Sequence, residues 1–224
     1  MPNHNYNKLT VIGLPHRVEQ FRVEAQGQPA YYSDDKVPLD PQALCYNALV
    51  PVPPDVLEGG YNARPRGQAN GVIPGNRWQV KHWGAKWEAG DVSLDLHTDR
   101  ALTYDWYSPW GPPFEFLEKA HAMFADLAFF LSWGGEGPTR GRNVRILGEV
   151  RSIELTPEPT YALDDEEDLA EQYTAWRDEM LTTHDDWVAP YVAWVTRSLE
   201  TSPTKLLEAL RAEVDNKETI EDVY

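Results

Sequence analysis

The segment DVSLDLHTDRALTYDWY, residues 91–107, holds a dense set of side chains that could do chemistry. Two-residue alternation puts Asp91, Ser93, Asp95 and His97 on one side of a strand. Pairing that strand with the next as a hairpin adds Thr103, Asp105 and Tyr107 to the same side. Carboxylates beside an imidazole are a donor set for a divalent cation, which could activate water for hydrolysis. The spacing leaves this set incomplete, because Asp99 falls in the turn and Asp105 lies opposite Ser93 rather than His97. A solvated sheet face accounts for the same residues, since antiparallel sheets commonly keep one wet side. Metal-assisted hydrolysis is therefore the minor alternative, and no residue is assigned as a metal ligand.

A second concentration is KHWGAKWEAG, residues 81–90. Gly84 disfavours a helix, so the segment reads as extended, with Trp83, Ala85 and Trp87 on one side. Aromatic packing explains these rings. The competing reading is a cleft of Trp83, Trp87, Trp110 and Trp133 with Lys86, which would stack a small nucleotide-like ligand. The glycine-rich SWGGEGPTRGR lacks a phosphate-binding signature and leads into a strand, so it reads as a flexible hairpin ending at Arg140 and Arg142, with Glu136 available to a ligand. GxSxG and HExxH are absent, and the histidines at 4, 16, 82, 97, 121 and 184 are dispersed. His121 sits on an apolar helix face as a core histidine. No catalytic residue and no cofactor is assigned, and the chain reads as a binding protein rather than an enzyme.

Charge is the sharpest signal. The 224 residues carry a formal net charge of -16. Residues 1–155 hold 18 acids and 15 bases, net -3, whereas residues 156–224 hold 18 acids and 5 bases, net -13. Direct nucleic-acid binding is not expected, because phosphate contact needs clustered Lys and Arg. The acids Asp164, Asp165, Glu166, Glu167, Asp168, Glu171, Asp178, Glu179, Asp185 and Asp186 admit two readings. They are the solvated side of helices, or they imitate a phosphate backbone and occupy a partner's basic groove. The lone Cys45 cannot form an internal disulfide and fits a reducing compartment. The opening MPNHNYNKLTVIG has no basic segment followed by an apolar run, and no long apolar stretch occurs, so the expectation is a soluble cytoplasmic protein without a membrane span.

These side chains must be positioned by a small set of elements. NKLTVIG reads as a strand, and PHRVEQFRVEAQG as a helix with Val18, Phe21 and Ala25 at helical spacing. ALCYNALVPVPP reads as a second strand, and residues 55–77 as a long loop. In the hairpin, a three-residue loop of Thr98, Asp99 and Arg100 pairs Leu96 with Leu102, Leu94 with Tyr104 and Val92 with Trp106. A two-residue loop would set Asp95 against Leu102 and mix the faces. PPFEFLEKAHAMFAD follows as a helix, then LAFFLSW and NVRILGEVRSIEL as one strand each. The order predicts an α+β fold, a ferredoxin-like sandwich of antiparallel sheet and helices over residues 1–155. Residues 156–224 form an acidic helical module of three segments. Leu169, Tyr173, Trp176 and Met180 stripe the first, Trp187, Tyr191 and Trp194 the second, and Ser202 with Pro203 starts the third.

The opening MPNHNYNKLTVIG, then LVPVPP, WGAKWEA and the aromatic strand ending in YSPWGPP, resemble in the same order the landmarks of the Api92-like family of phage and plasmid proteins. The resemblance covers about residues 1–150. It implies a ferredoxin-like fold and an origin on a mobile element, with no reaction and no catalytic residues to carry over. SPWGPP is longer than the family's compact Ser-Pro-Pro turn, and residues 156–224 match nothing in it. The combined expectation is a protein of the host bacterium's cytoplasm that engages a host defence or nucleic-acid-binding protein with a basic surface.

Overall fold

Buried on both sides, the strand β1 (His4–Ile12) is the centre of the molecule. Leu9 and Val11 point to one face, while Lys8, Thr10 and Ile12 point to the other. In this computed structural model, which describes residues 4–33, 35, 37–62, 73–135, 140–155 and 166–221, two layers of helices enclose one sheet. In chain order the remaining elements are α1 (Pro15–Ala25), α2 (Tyr46–Leu49), α3 (Pro54–Gly59), α4 (Gly75–Trp83), β2 (Gly90–Thr98) and β3 (Ala101–Pro109). They continue with α5 (Phe114–Met123), β4 (Ala128–Gly135), β5 (Arg140–Ile146), β6 (Glu149–Leu155), α6 (Glu166–Arg197) and α7 (Pro203–Glu221).

The sheet is antiparallel throughout, in the order β2-β3-β1-β4-β5-β6. Its first four strands, with α1 and α5 as crossovers, have the connectivity and strand order of a ferredoxin-like sandwich. β5 and β6 extend the sheet beyond β4 as a hairpin. The first face is closed by α1, α4 and α5 over Leu9, Phe21, Trp83, Tyr104, Phe116 and Phe129, which belong to one continuous apolar core.

Several local expectations are revised. ALCYNALVPVPP does not form a strand. Its first part turns into α2, whose Tyr46 and Asn47 backbone N–H groups donate to the buried Glu88 carboxylate, and its prolines enter α3. A distant carboxylate at a helix start leaves no local signature. KHWGAKWEAG is not extended throughout either, because α4 runs to Trp83 and Gly84 ends it. Gly84 has φ 72°, the left-handed cap that glycine adopts without penalty. NVRILGEVRSIEL is two strands, joined at Leu147 and Gly148 with φ 52° and 80°, the positive pair a tight hairpin needs. The expected loop 55–77 is partly α3 and α4, and its residues 63–72 lie outside the described residues.

In the β2–β3 hairpin, Leu94 pairs with Tyr104 and Leu96 with Leu102 in backbone register, as the hydrophobic pattern requires. Thr98 then pairs with Ala101, so the turn itself is Asp99 and Arg100, and the register shifts between Leu96 and Thr98. The irregularity takes up the residue that a three-residue loop would have held. At the C-terminal end, the two segments expected as separate helices join into α6, with Pro190 inside it. Pro190 is solvent-exposed, so water can satisfy the carbonyl its missing N–H leaves unpaired.

Candidate partner-binding face

The second face of the sheet is apolar at one end and polar at the other. Ile12, Ala101, Ala128, Phe130, Val144 and Ile146 form the apolar end, and Val188, Tyr191 and Val195 of α6 with Leu206, Leu207, Leu210 and Val214 of α7 cover it. Phe130 stacks on Tyr191 at 5.1 Å between ring centroids. Residues 188, 191 and 195 recur at helical spacing, so one line of α6 is committed to the sheet. The helices therefore have a fixed inner side and a fixed outer side.

At the polar end that line continues with His184, which is fully buried. Its Nδ1 lies 2.8 Å from Ser132 Oγ and its Nε2 lies 2.9 Å from Thr10 Oγ1. Thr10 Oγ1 in turn lies 2.6 Å from Thr103 Oγ1, so β3, β1, β4 and α6 share one chain of hydrogen bonds. Beside it Lys8 Nζ donates to Asp185 Oδ2 at 2.7 Å. A Ser–His pair could be read as a nucleophile with its base, but substrate has no access to a pair this deeply buried. The arrangement fixes the register of α6 on the sheet. Sequence reasoning missed it, although a histidine four residues before Val188 on an otherwise apolar line was the available signal.

Acids dominate the first part of α6 in sequence, and of these the side chains of Asp178, Asp185 and Asp186 are among the described residues. From Glu166 to Asp186, α6 holds eight acids and one base, Arg177. At about 100° per residue, Glu167, Asp168, Glu171, Asp178, Glu179, Asp185 and Asp186 occupy register positions within roughly a third of the helix circumference. That arc is separate from the line of His184, Val188, Tyr191 and Val195. Asp178 and Asp186 are exposed and Asp185 is partly so. The expected Asp164 and Asp165 lie outside the described residues. Charge on α7 is more evenly offset: Asp215 pairs with Arg151 of β6, Arg211 pairs with Glu149 at 2.8 Å, and Lys217 pairs with Glu213 at 3.1 Å. By sequence, the unbalanced acids are therefore densest over the first two-thirds of α6.

The tryptophans expected to share a cleft have different surroundings. Trp83 is fully buried, donates from Nε1 to the Val50 carbonyl at 2.9 Å, and meets Trp78 and Tyr46 edge-on. It has no face to offer a ligand. Trp133 is buried against Phe114, whereas Trp110 is 65% exposed with φ 73°. Lys86 and Trp87 are partly buried, and the Lys86 carbonyl accepts from the Tyr61 hydroxyl at 2.8 Å. His121 is buried edge-on to Phe129, and burial followed by the Arg145 charge lowers its pKa. Arg142 lies over Trp187 at 4.8 Å, a cation–π contact between β5 and α6. Glu136 is outside the described residues.

On the face read as metal-compatible, Asp95 is exposed and Asp105 accepts from Ser93. The side chain of His97 lies outside the described residues. Among the described residues, no group of three His, Cys, Asp or Glu is assembled that could hold a metal ion, and no described helix is long and apolar enough to cross a membrane.

No family model and no curated protein matches the chain. A solved structure similar to it is protein api92 from Yersinia pseudotuberculosis, of family model DUF1281. The identity is 20%, the match covers 55% of this chain and 44% of that one, and the TM-score is 0.44.

Proposed function

We propose that this chain is a non-enzymatic binding protein that engages a partner's basic groove through the acidic outer side of α6. The observation that carries the reading is the opposition, on one helix, of an acidic arc and a line of buried residues docked on the sheet. A docked helix holds its carboxylates in fixed relative positions, which a flexible acidic tail does not. From Glu166 to Asp186 the helix rises about 30 Å, which is comparable to one turn of duplex DNA. A row of carboxylates of that length suits a groove built for phosphates, and complementary potential would speed the encounter. A bacterial nucleic-acid-binding or defence protein with such a groove is the partner class, and a phage or plasmid origin would fit that role.

The test is displacement of duplex DNA from a sequence-nonspecific bacterial DNA-binding protein by the full chain. Displacement that weakens with salt is the expected result. It should be lost when Glu167, Asp168, Glu171, Asp178, Glu179 and Asp186 become Gln or Asn. No displacement, or equal displacement by that variant, would overturn the reading.

A further inference from the structure

Beyond the polar end of the second face, a groove of about 380 Å³ opens over β2, β3 and β1, lined by His4, Tyr6, Tyr107, Asp91 and Asp105 among others. Tyr6 and Tyr107 are direct cross-strand neighbours, and His4 stacks on Tyr107 at 4.5 Å with the rings 25° apart. The Tyr107 ring also lies against Gly90, where a Cβ would come within 2.2 Å of it. The aromatic wall is therefore held from both strands. Just after Gly90 the β2–β3 register shifts, and Asp91 takes φ 48°. Such an irregularity re-aims a side chain relative to a regular strand, and here Asp91 lines the groove with Asp105. Burial first, then Asp91 and Tyr6, raises the Tyr107 phenol pKa, which places the carboxylate's field on the ring.

Two carboxylates beside stacked rings select for an organic cation. A guanidinium suits this wall better than an ammonium, because it is planar, weakly hydrated, stacks on aromatic faces and donates in pairs to carboxylates. Nearby Lys8 has its ammonium on Asp185 at 2.7 Å, so its charge is already balanced by a carboxylate of α6. We propose that this groove receives the guanidinium group of an arginine side chain presented by the basic partner. The source of the arginine rests on the function proposed above, whereas the groove's preference is a property of its own residues.

The experiment is an NMR titration of the full chain with N-acetyl-arginine amide and, separately, N-acetyl-lysine amide. Saturable shifts centred on Gly90, Asp91, Ser93 and Tyr107 are expected, with the arginine derivative bound at least about fivefold more tightly. Asp91→Asn with Asp105→Asn should weaken arginine binding about tenfold. Asparagine tolerates positive φ at least as well as aspartate, and its carbonyl can still accept from Ser93, so dispersed spectra should confirm the fold. Equal affinity for both derivatives, diffuse shifts, or indifference to the double substitution would overturn the assignment. The α6 variant used to test partner binding should still bind arginine amide, so failure at either site is distinguishable from failure at the other.

Discussion

His184 of α6 and Ser132 of β4 meet at 2.8 Å in a fully buried contact that joins the acidic helix to the centre of the sheet. Replacing His184 with Leu keeps the bulk but removes the partner of two buried hydroxyls. Urea unfolding should show a loss of about 1–3 kcal/mol. Adding Ser132→Ala to that variant should restore part of the loss, because an unsatisfied hydroxyl rather than missing volume causes it, while Thr10 keeps Thr103 at 2.6 Å.

Removing residues 156–224 should not leave a well-behaved sheet. α6 and α7 cover Ile12, Phe130, Val144 and Ile146, and the truncated chain would present that apolar face to water. It should bind a hydrophobic dye and aggregate at concentrations where the full chain is monodisperse. A soluble, cooperatively folding truncation would contradict the shared core.

Burial pushes the Glu88 carboxyl up to about 7, although backbone N–H groups of Tyr46, Asn47 and Ala89 favour its charged form. A carboxyl whose folded pKa lies above its unfolded value stabilises the fold while protonated. Its contribution falls as pH rises from the unfolded pKa through the folded one. The stability of the parent relative to Glu88→Gln, whose amide does not titrate, should therefore fall by about 3 kcal/mol between pH 4 and pH 8. A difference that stays constant across that window would show that Glu88 does not titrate there.

The tryptophans should separate by cost. Trp83→Phe opens space in the first core and leaves the Val50 carbonyl without its donor, so a loss of about 2–4 kcal/mol is expected on thermal or urea unfolding. Trp110→Ala at an exposed site should change stability by no more than about 0.5 kcal/mol. Iodide should quench Trp110 and leave Trp83 untouched.

Much of the fold was legible in period and punctuation. Val18, Phe21 and Ala25 marked α1, hydrophobic register aligned Leu94 with Tyr104 and Leu96 with Leu102, and the run PPFEFLEKAHAMFAD marked α5. What escaped depends on partners distant in sequence. α2 is started by Glu88, about forty residues away, and a short proline-flanked apolar run resembles a strand when that carboxylate is unknown. Gly84 disfavours a helix by type yet terminates one in the fold, because glycine's cost inside a helix and its advantage just past the end look alike in a string. At the site, the acids of α6 were visible as a charge run. Their geometry was not, because the side facing the sheet is set by His184, Val188 and Tyr191 meeting β1 and β4. The groove of His4, Tyr6, Tyr107 and Asp91 was likewise hidden, since strand pairing brings the chain's first residues beside residues 91–107.

The salt dependence of partner affinity, compared between the parent chain and a variant with the acids of α6 neutralised, separates an acidic docking role of α6 from a merely solvated helix. Titrated against a basic DNA-binding protein, the parent should lose affinity steeply as salt rises. Neutralising Glu167, Asp168, Glu171, Asp178, Glu179 and Asp186 should weaken binding at low salt and flatten that dependence, with folding stability preserved because Asp185 still holds Lys8. The same affinity and the same slope in both proteins would contradict that docking role.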